Sequence, residues 1–145
     1  MKLPKELRNG IIIFLGIGLY FLLMILLGLG DISALRLLNV VFVFYGVNRT
    51  IKINLNEGNK NFVLNAVSAL ITSIIGVVLS IIGLLIYSYI QGGDAYIQSL
   101  SKTFLFGGNP TIVTYCISLL FEGIASSIIV TLLVMLYTNN KYITD

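Results

Sequence analysis

The sequence predicts an all-α membrane protein: four transmembrane helices in an antiparallel bundle, with a short interfacial helix between the third and fourth. Three observations carry this. Four apolar stretches occupy most of the 145 residues. Hydrophobic residues make up 57% of the chain and charged residues only 10%, for a mean hydropathy of +0.99, whereas a soluble domain carries roughly a quarter charged residues on its surface. The basic residues, finally, fall almost entirely on one side of the apolar stretches. Residues 1–145 therefore read as a single four-helix domain, with spans near 11–29, 32–51, 62–90 and 111–137.

The first stretch follows Lys2, Lys5 and Arg8. About 20 apolar residues at a rise of roughly 1.5 Å match a hydrocarbon core about 30 Å thick. The stretch is too long for a signal-peptide core and no small-residue cleavage motif follows it, so it is expected to be retained. Gly28, Gly30 and Asp31 end it in a tight turn.

The second stretch is the least apolar, containing Arg36, Asn39, Asn48 and Arg49. Arg36 lies near its end, where a guanidinium can extend to the headgroups. Residues 54–61 (NLNEGNKN) form a polar loop turning at Glu57-Gly58. The third stretch is long enough to tilt, and Tyr87 and Tyr89 near its end suit an interfacial aromatic belt. Gly92-Gly93 and Gly107-Gly108-Asn109-Pro110 then bracket a segment in which Tyr96, Ile97, Leu100 and Phe104 recur at helical spacing. That pattern predicts a helix lying in the interface plane.

With four crossings, Lys2, Lys5, Arg8, Arg49, Lys52, Lys60 and Lys141 share a side, against Arg36 and Lys102. The asymmetry places both termini in the cytoplasm. It also supports the weak second span, because removing that crossing would scatter the basic residues over both sides. The net charge of +3 is the usual basic fringe of membrane spans rather than a patch, so no nucleic-acid partner is expected. There is no His, and Cys116 is the single Cys. No internal disulfide and no Cys/His metal site can form, and no cofactor is expected.

Helices in lipid associate through close packing and polar contacts. In the third span Asn65, Ala69, Thr72, Gly76, Ser80, Gly83 and Tyr87 trace one small or polar face, a helix-packing seam. The fourth carries a stripe of Tyr115, Ser118, Glu122, Ala125, Ser126 and Ile129, so these two spans are expected to meet face to face.

Glu122 stands about eleven residues into the fourth span, roughly 16 Å below its outer end at the helical rise. An ionisable residue at that depth is a functional-site candidate. Asn39, one turn deeper than Arg36, is the expected hydrogen-bond partner, with Ser118 and Ser126 keeping the surroundings polar. A salt bridge to Arg36 would need both side chains to stretch across an axial offset on the order of 10 Å. Three roles follow: a knot fixing helix register, a contact to a partner membrane subunit, or a proton- or cation-coupled site. One carboxylate without His or a second acid offers no route to acid–base or metal-assisted catalysis, so no enzyme activity is expected.

The size, the four spans and the membrane-embedded Glu resemble the small multidrug transporters. That family places its essential Glu in the first span, where this chain has Gly, aliphatic residues and Tyr20, so drug–proton exchange does not carry over. The chain also resembles the short four-span bacterial inner-membrane proteins grouped as a domain-of-unknown-function family. The similar elements are Arg49 and Lys52, the Glu57-Gly58 turn before Phe62, the small-residue third span, and Ala125-Ser126-Ser127 with a basic tail. They cover about the last two-thirds of the chain and imply a bacterial inner-membrane location. The leading expectation is an accessory or structural subunit of a larger membrane complex, in contact with lipid and with other subunits or itself. The alternative is a small homo-oligomeric proton- or cation-coupled transporter or channel using Glu122.

Overall fold

The computed structural model describes residues 3–30, 32–100 and 108–142. Among them are six α-helices, one 3-10 turn and no strand: α1 Lys5–Leu26, α2 Ser33–Arg36, α3 Asn39–Asn56, α4 Phe62–Ile90, α5 Asp94–Leu100, α6 Ile112–Tyr137, and the turn Asn139–Lys141. Four helical segments are long and apolar enough to cross a membrane: Lys5–Leu26, Ala34–Asn56, Phe62–Ile90 and Ile112–Tyr137. Their mean hydropathies are 2.4, 1.2, 2.7 and 2.3, so the second is the least apolar, as its Arg and Asn content requires.

Local chemistry sets the boundaries. α1 begins right after Pro4, whose ring fixes a φ of −51° ahead of the first turn. It ends at Gly28, where φ is +71° and the Leu29 N–H returns to the Met24 carbonyl at 2.9 Å. Gly58 closes α3 in the same way, at φ +85°, with the Asn59 N–H on the Asn54 carbonyl at 3.0 Å. Both are left-handed caps that satisfy otherwise unpaired carbonyls. Asn61 caps α4 by accepting from the Leu64 N–H, and Thr111 caps α6 by accepting from the Thr114 N–H.

The helices depart from the expected stretches at three places. α1 starts at Lys5 rather than near residue 11, and α3 runs to Asn56, into the expected polar loop. The backbone stays helical past the apolar run, because hydropathy reports depth in lipid and not the end of the hydrogen-bond ladder. The second stretch is also interrupted at Leu37 and Leu38, where i→i−3 bonds tighten the turn between α2 and α3. In the expected interfacial segment the described helix is α5; Lys102 and Phe104 lie outside the described residues.

Glycines allow close approach between helices. Ile13 of α1, fully buried, lies against both Gly46 of α3 and Gly76 of α4, and Gly10 lies against Ile75. Phe42 covers Gly16, Phe14 covers Gly83, and Val77 covers Gly123 of α6. The α4 seam therefore packs mainly on α1. Spans three and four also meet, as expected: Ala69 of the seam packs with Val130 and Val134 of α6, and Val77, beside the seam, covers Gly123 next to Glu122. The core around Ile13 includes Val43, Val47, Ile51, Ala69, Val130, Val134 and Met135. A second cluster joins α5 to α6 through Ile97, Ile112, Tyr115 and Cys116.

Candidate functional site

Two polar regions lie toward opposite ends of the long helices. At the end carrying the Glu57-Gly58 turn, Lys5 and Glu57 form an ion pair at 2.5 Å. Inside it runs a directed hydrogen-bond chain. The Asn9 amide donates to the Thr50 hydroxyl at 2.8 Å, Thr50 and Thr72 are 2.9 Å apart, and Thr72 donates to the Ser68 carbonyl at 2.9 Å. Ser68 in turn donates to Glu6 at 2.6 Å. Asn9, Thr50 and Thr72 are fully buried, so each bond replaces water that the interior excludes.

At the other end Arg36 ties three elements together. Its guanidinium donates to the Tyr115 hydroxyl, to the Leu100 carbonyl at 2.9 Å and, at 3.4 Å, to the Gly30 carbonyl. It also stands 5.4 Å from the Tyr115 ring centroid, a cation–π distance. Asp94 of α5 accepts from the Ile112 N–H at 2.8 Å, so a carboxylate sits at the positive end of α6. Ile97 and Leu100 are buried beneath α5. Burial, and then the neighbouring Tyr87, push the Tyr96 phenol up to about 12, so it stays protonated.

Between these regions α1, α3, α4 and α6 enclose a cavity of about 400 Å³. Its walls are mostly apolar, with Phe14, Ile17, Phe21, Val43, Val77, Ile81, Leu84 and Leu119 prominent. The polar lining is Arg36, Asn39, Ser80, Tyr87, Tyr115, Glu122 and Ser126. Leu15, Leu19, Leu22, Leu37 and Glu122 line it while remaining exposed, and they form its rim.

The expected site residues thus divide. Glu122, Ser126, Asn39 and Arg36 share this cavity, joined by Ser80, Gly83 and Tyr87 from the outer part of the seam. Asn65, Ala69, Thr72 and Gly76, the rest of the seam, are buried elsewhere. Ser118 does not line the cavity; its hydroxyl donates to the Thr114 carbonyl of its own helix at 3.1 Å. Among the described residues Glu122 has no hydrogen-bond or ion-pair partner, and Arg36 is engaged with Tyr115 and two carbonyls instead. The expected bond from Asn39 to Glu122 is likewise not formed, and the Asn39 amide oxygen is buried without a partner among the described residues.

Sequence reasoning missed Asn9, Thr50 and Asn54, all buried. Asn9 and Ile13 are one turn apart on α1, as are Thr50 and Asn54 on α3, but each pair straddles a boundary between apolar and polar sequence. Comparison with protein-family models, curated proteins and solved structures gives no match.

Proposed function

We propose that this chain is a multi-pass bacterial inner-membrane protein serving as an accessory or structural subunit of a larger membrane complex, without enzymatic activity. The observation that carries this reading is Glu122. It lies ten residues past Ile112, roughly 15 Å along the helix, exposed on an apolar helix and unpartnered among the described residues. A charge at the centre of a spanning helix costs at least ~2.5–3.5 kcal/mol. A register knot within the chain would give Glu122 an internal partner. A docking contact leaves the carboxyl uncovered until the partner arrives.

The finer architecture follows from the helix pairings. Contacts Asn9–Thr50, Ile13–Gly46 and Gly16–Phe42 run in opposite order along α1 and α3, and Tyr20–Leu35 continues the series onto α2. Contacts Gly10–Ile75, Ile13–Gly76 and Phe14–Gly83 run in the same order along α1 and α4. These pairings support an antiparallel bundle, and the gathering of Lys5, Arg8, Arg49, Lys52, Lys60 and Lys141 at the end opposite α5 supports both termini in the cytoplasm and α5 in the outer interface.

Purification in mild detergent tests the reading. A different membrane protein should accompany the chain, and Glu122→Leu should lose it while staying folded. A chain that purifies alone from native membranes contradicts it. The cavity favours a second reading, a small homo-oligomeric proton- or cation-coupled carrier, because its volume falls in the roughly 300–1,000 Å³ range of small-molecule sites. Cation flux in reconstituted vesicles that Glu122→Gln abolishes would select that reading.

A further inference from the structure

We propose that the cavity receives a basic side chain, Lys or Arg, carried by a transmembrane helix of the partner, with the Glu122 carboxylate as its counter-charge. The inference rests on the accessory-subunit reading and names the partner's chemistry. It starts from the polar groups on the cavity wall. Arg36, the strong donor there, is already bonded to Tyr115 and to the Leu100 and Gly30 carbonyls. The groups on the wall with no hydrogen-bond partner among the described residues are the Glu122 carboxylate, the Asn39 side-chain amide and the Ser126 hydroxyl, and of these only Glu122 is ionisable. With the guanidinium on the wall engaged and the carboxylate open, the uncompensated charge facing the cavity is negative, which selects a cation with N–H groups and disfavours an anion.

Shape selects the carrier of that cation. A helix is about 10–12 Å across with its side chains, so a cavity of about 400 Å³ admits side chains and not a whole helix. The aliphatic stem of Lys or Arg suits the apolar walls, while its head reaches the acceptors. Leu15, Leu19, Leu22 and Leu37 on the rim offer an apolar seat for the flanking residues of the incoming helix. A lone carboxylate and a lone basic group are each costly in hydrocarbon, and seating one against the other relieves both. The outer end is held by the Arg36 contacts and by α5, so the cation approaches through the rim, from the bilayer.

The test uses the full chain in lipid vesicles and synthetic leucine-rich transmembrane peptides carrying Lys, Leu or Glu at the central position, with association read by energy transfer. The Lys peptide should bind at least about ten-fold more tightly than the Leu peptide, and the Glu peptide no better than Leu. Glu122→Gln should erase the preference and Glu122→Asp should keep it, both variants remaining monodisperse. Equal binding of Lys and Leu peptides, or a preference that survives Glu122→Gln, overturns the proposal. So does Glu122-dependent binding of dodecylammonium without any Lys-peptide preference, which would make this a small-amphiphile site. Lys preference without a co-purifying protein removes the accessory-subunit reading alone. A co-purifying protein without Lys preference removes the basic-side-chain assignment alone.

Discussion

Ile13 of α1 sits directly against Gly76 of α4, where an added Cβ would stand 2.6 Å from the Ile13 Cγ2 and 2.7 Å from its Cβ. The same side chain covers Gly46 of α3, so one isoleucine fills the crossing of three helices. Such an approach is open only to glycine.

Gly76→Ala should therefore destabilise the bundle by about 1–3 kcal/mol, the usual cost of overpacking. Ile13→Ala in the same chain should recover part of that loss, because the two residues share one space. Gly18, with nothing within 4 Å of its Cβ position, is the control. Gly18→Ala should be neutral or slightly stabilising. Denaturant melts in detergent check all three, and additive losses for the Gly76 and Ile13 changes would contradict the shared contact.

The chain from Asn9 through Thr50 to Thr72 makes a second prediction. Thr50→Val keeps the shape, removes one acceptor and one donor, and leaves the Asn9 amide unsatisfied. Polar contacts between membrane helices average about 0.6 kcal/mol and reach about 1–2. A double-mutant cycle on Asn9→Leu and Thr50→Val should return a coupling in that range. A coupling of zero would mean that water or lipid serves these groups equally well.

Much of this was legible from residue pattern. α4 fills the stretch that Asn61 opens, and α6 the stretch after Thr111, because a cap beside an apolar run marks both helix and depth. The meeting of α4 with α6 was legible from their stripes, but the packing of α1 into both α3 and α4 was not. The α4 seam announces close packing without naming its partner on α1, where Gly10 lies against the Thr72 carbonyl and Ile13 against Gly76. Arg36 and Glu122 were both visible as charges in apolar sequence. That Arg36 turns to Tyr115 and Leu100 depends on where α5 folds back, which a single sequence leaves open.

Arg36→Lys should not be conservative. A single ammonium cannot reproduce a guanidinium fork that reaches three oxygens on separate elements. Loss of hydrogen bonds to a charged donor costs about 1.5–3 kcal/mol, and here the cost should fall on the docking of α5. Amide exchange across residues 94–100 should accelerate in Arg36→Lys while the α1–α4 contact stays protected. Uniform acceleration, or none, would show that Arg36 does not hold α5.

Cysteine labelling reports most directly on the four-crossing topology. In a Cys116→Ser background, Asn56→Cys and Gln98→Cys place single thiols at exposed positions beside the Glu57 turn and on α5. With intact cells an impermeant maleimide should modify position 98 at once, and position 56 only after the membrane is opened. Labelling of position 56 in intact cells, or equal labelling of both, would contradict the crossing pattern and the orientation together.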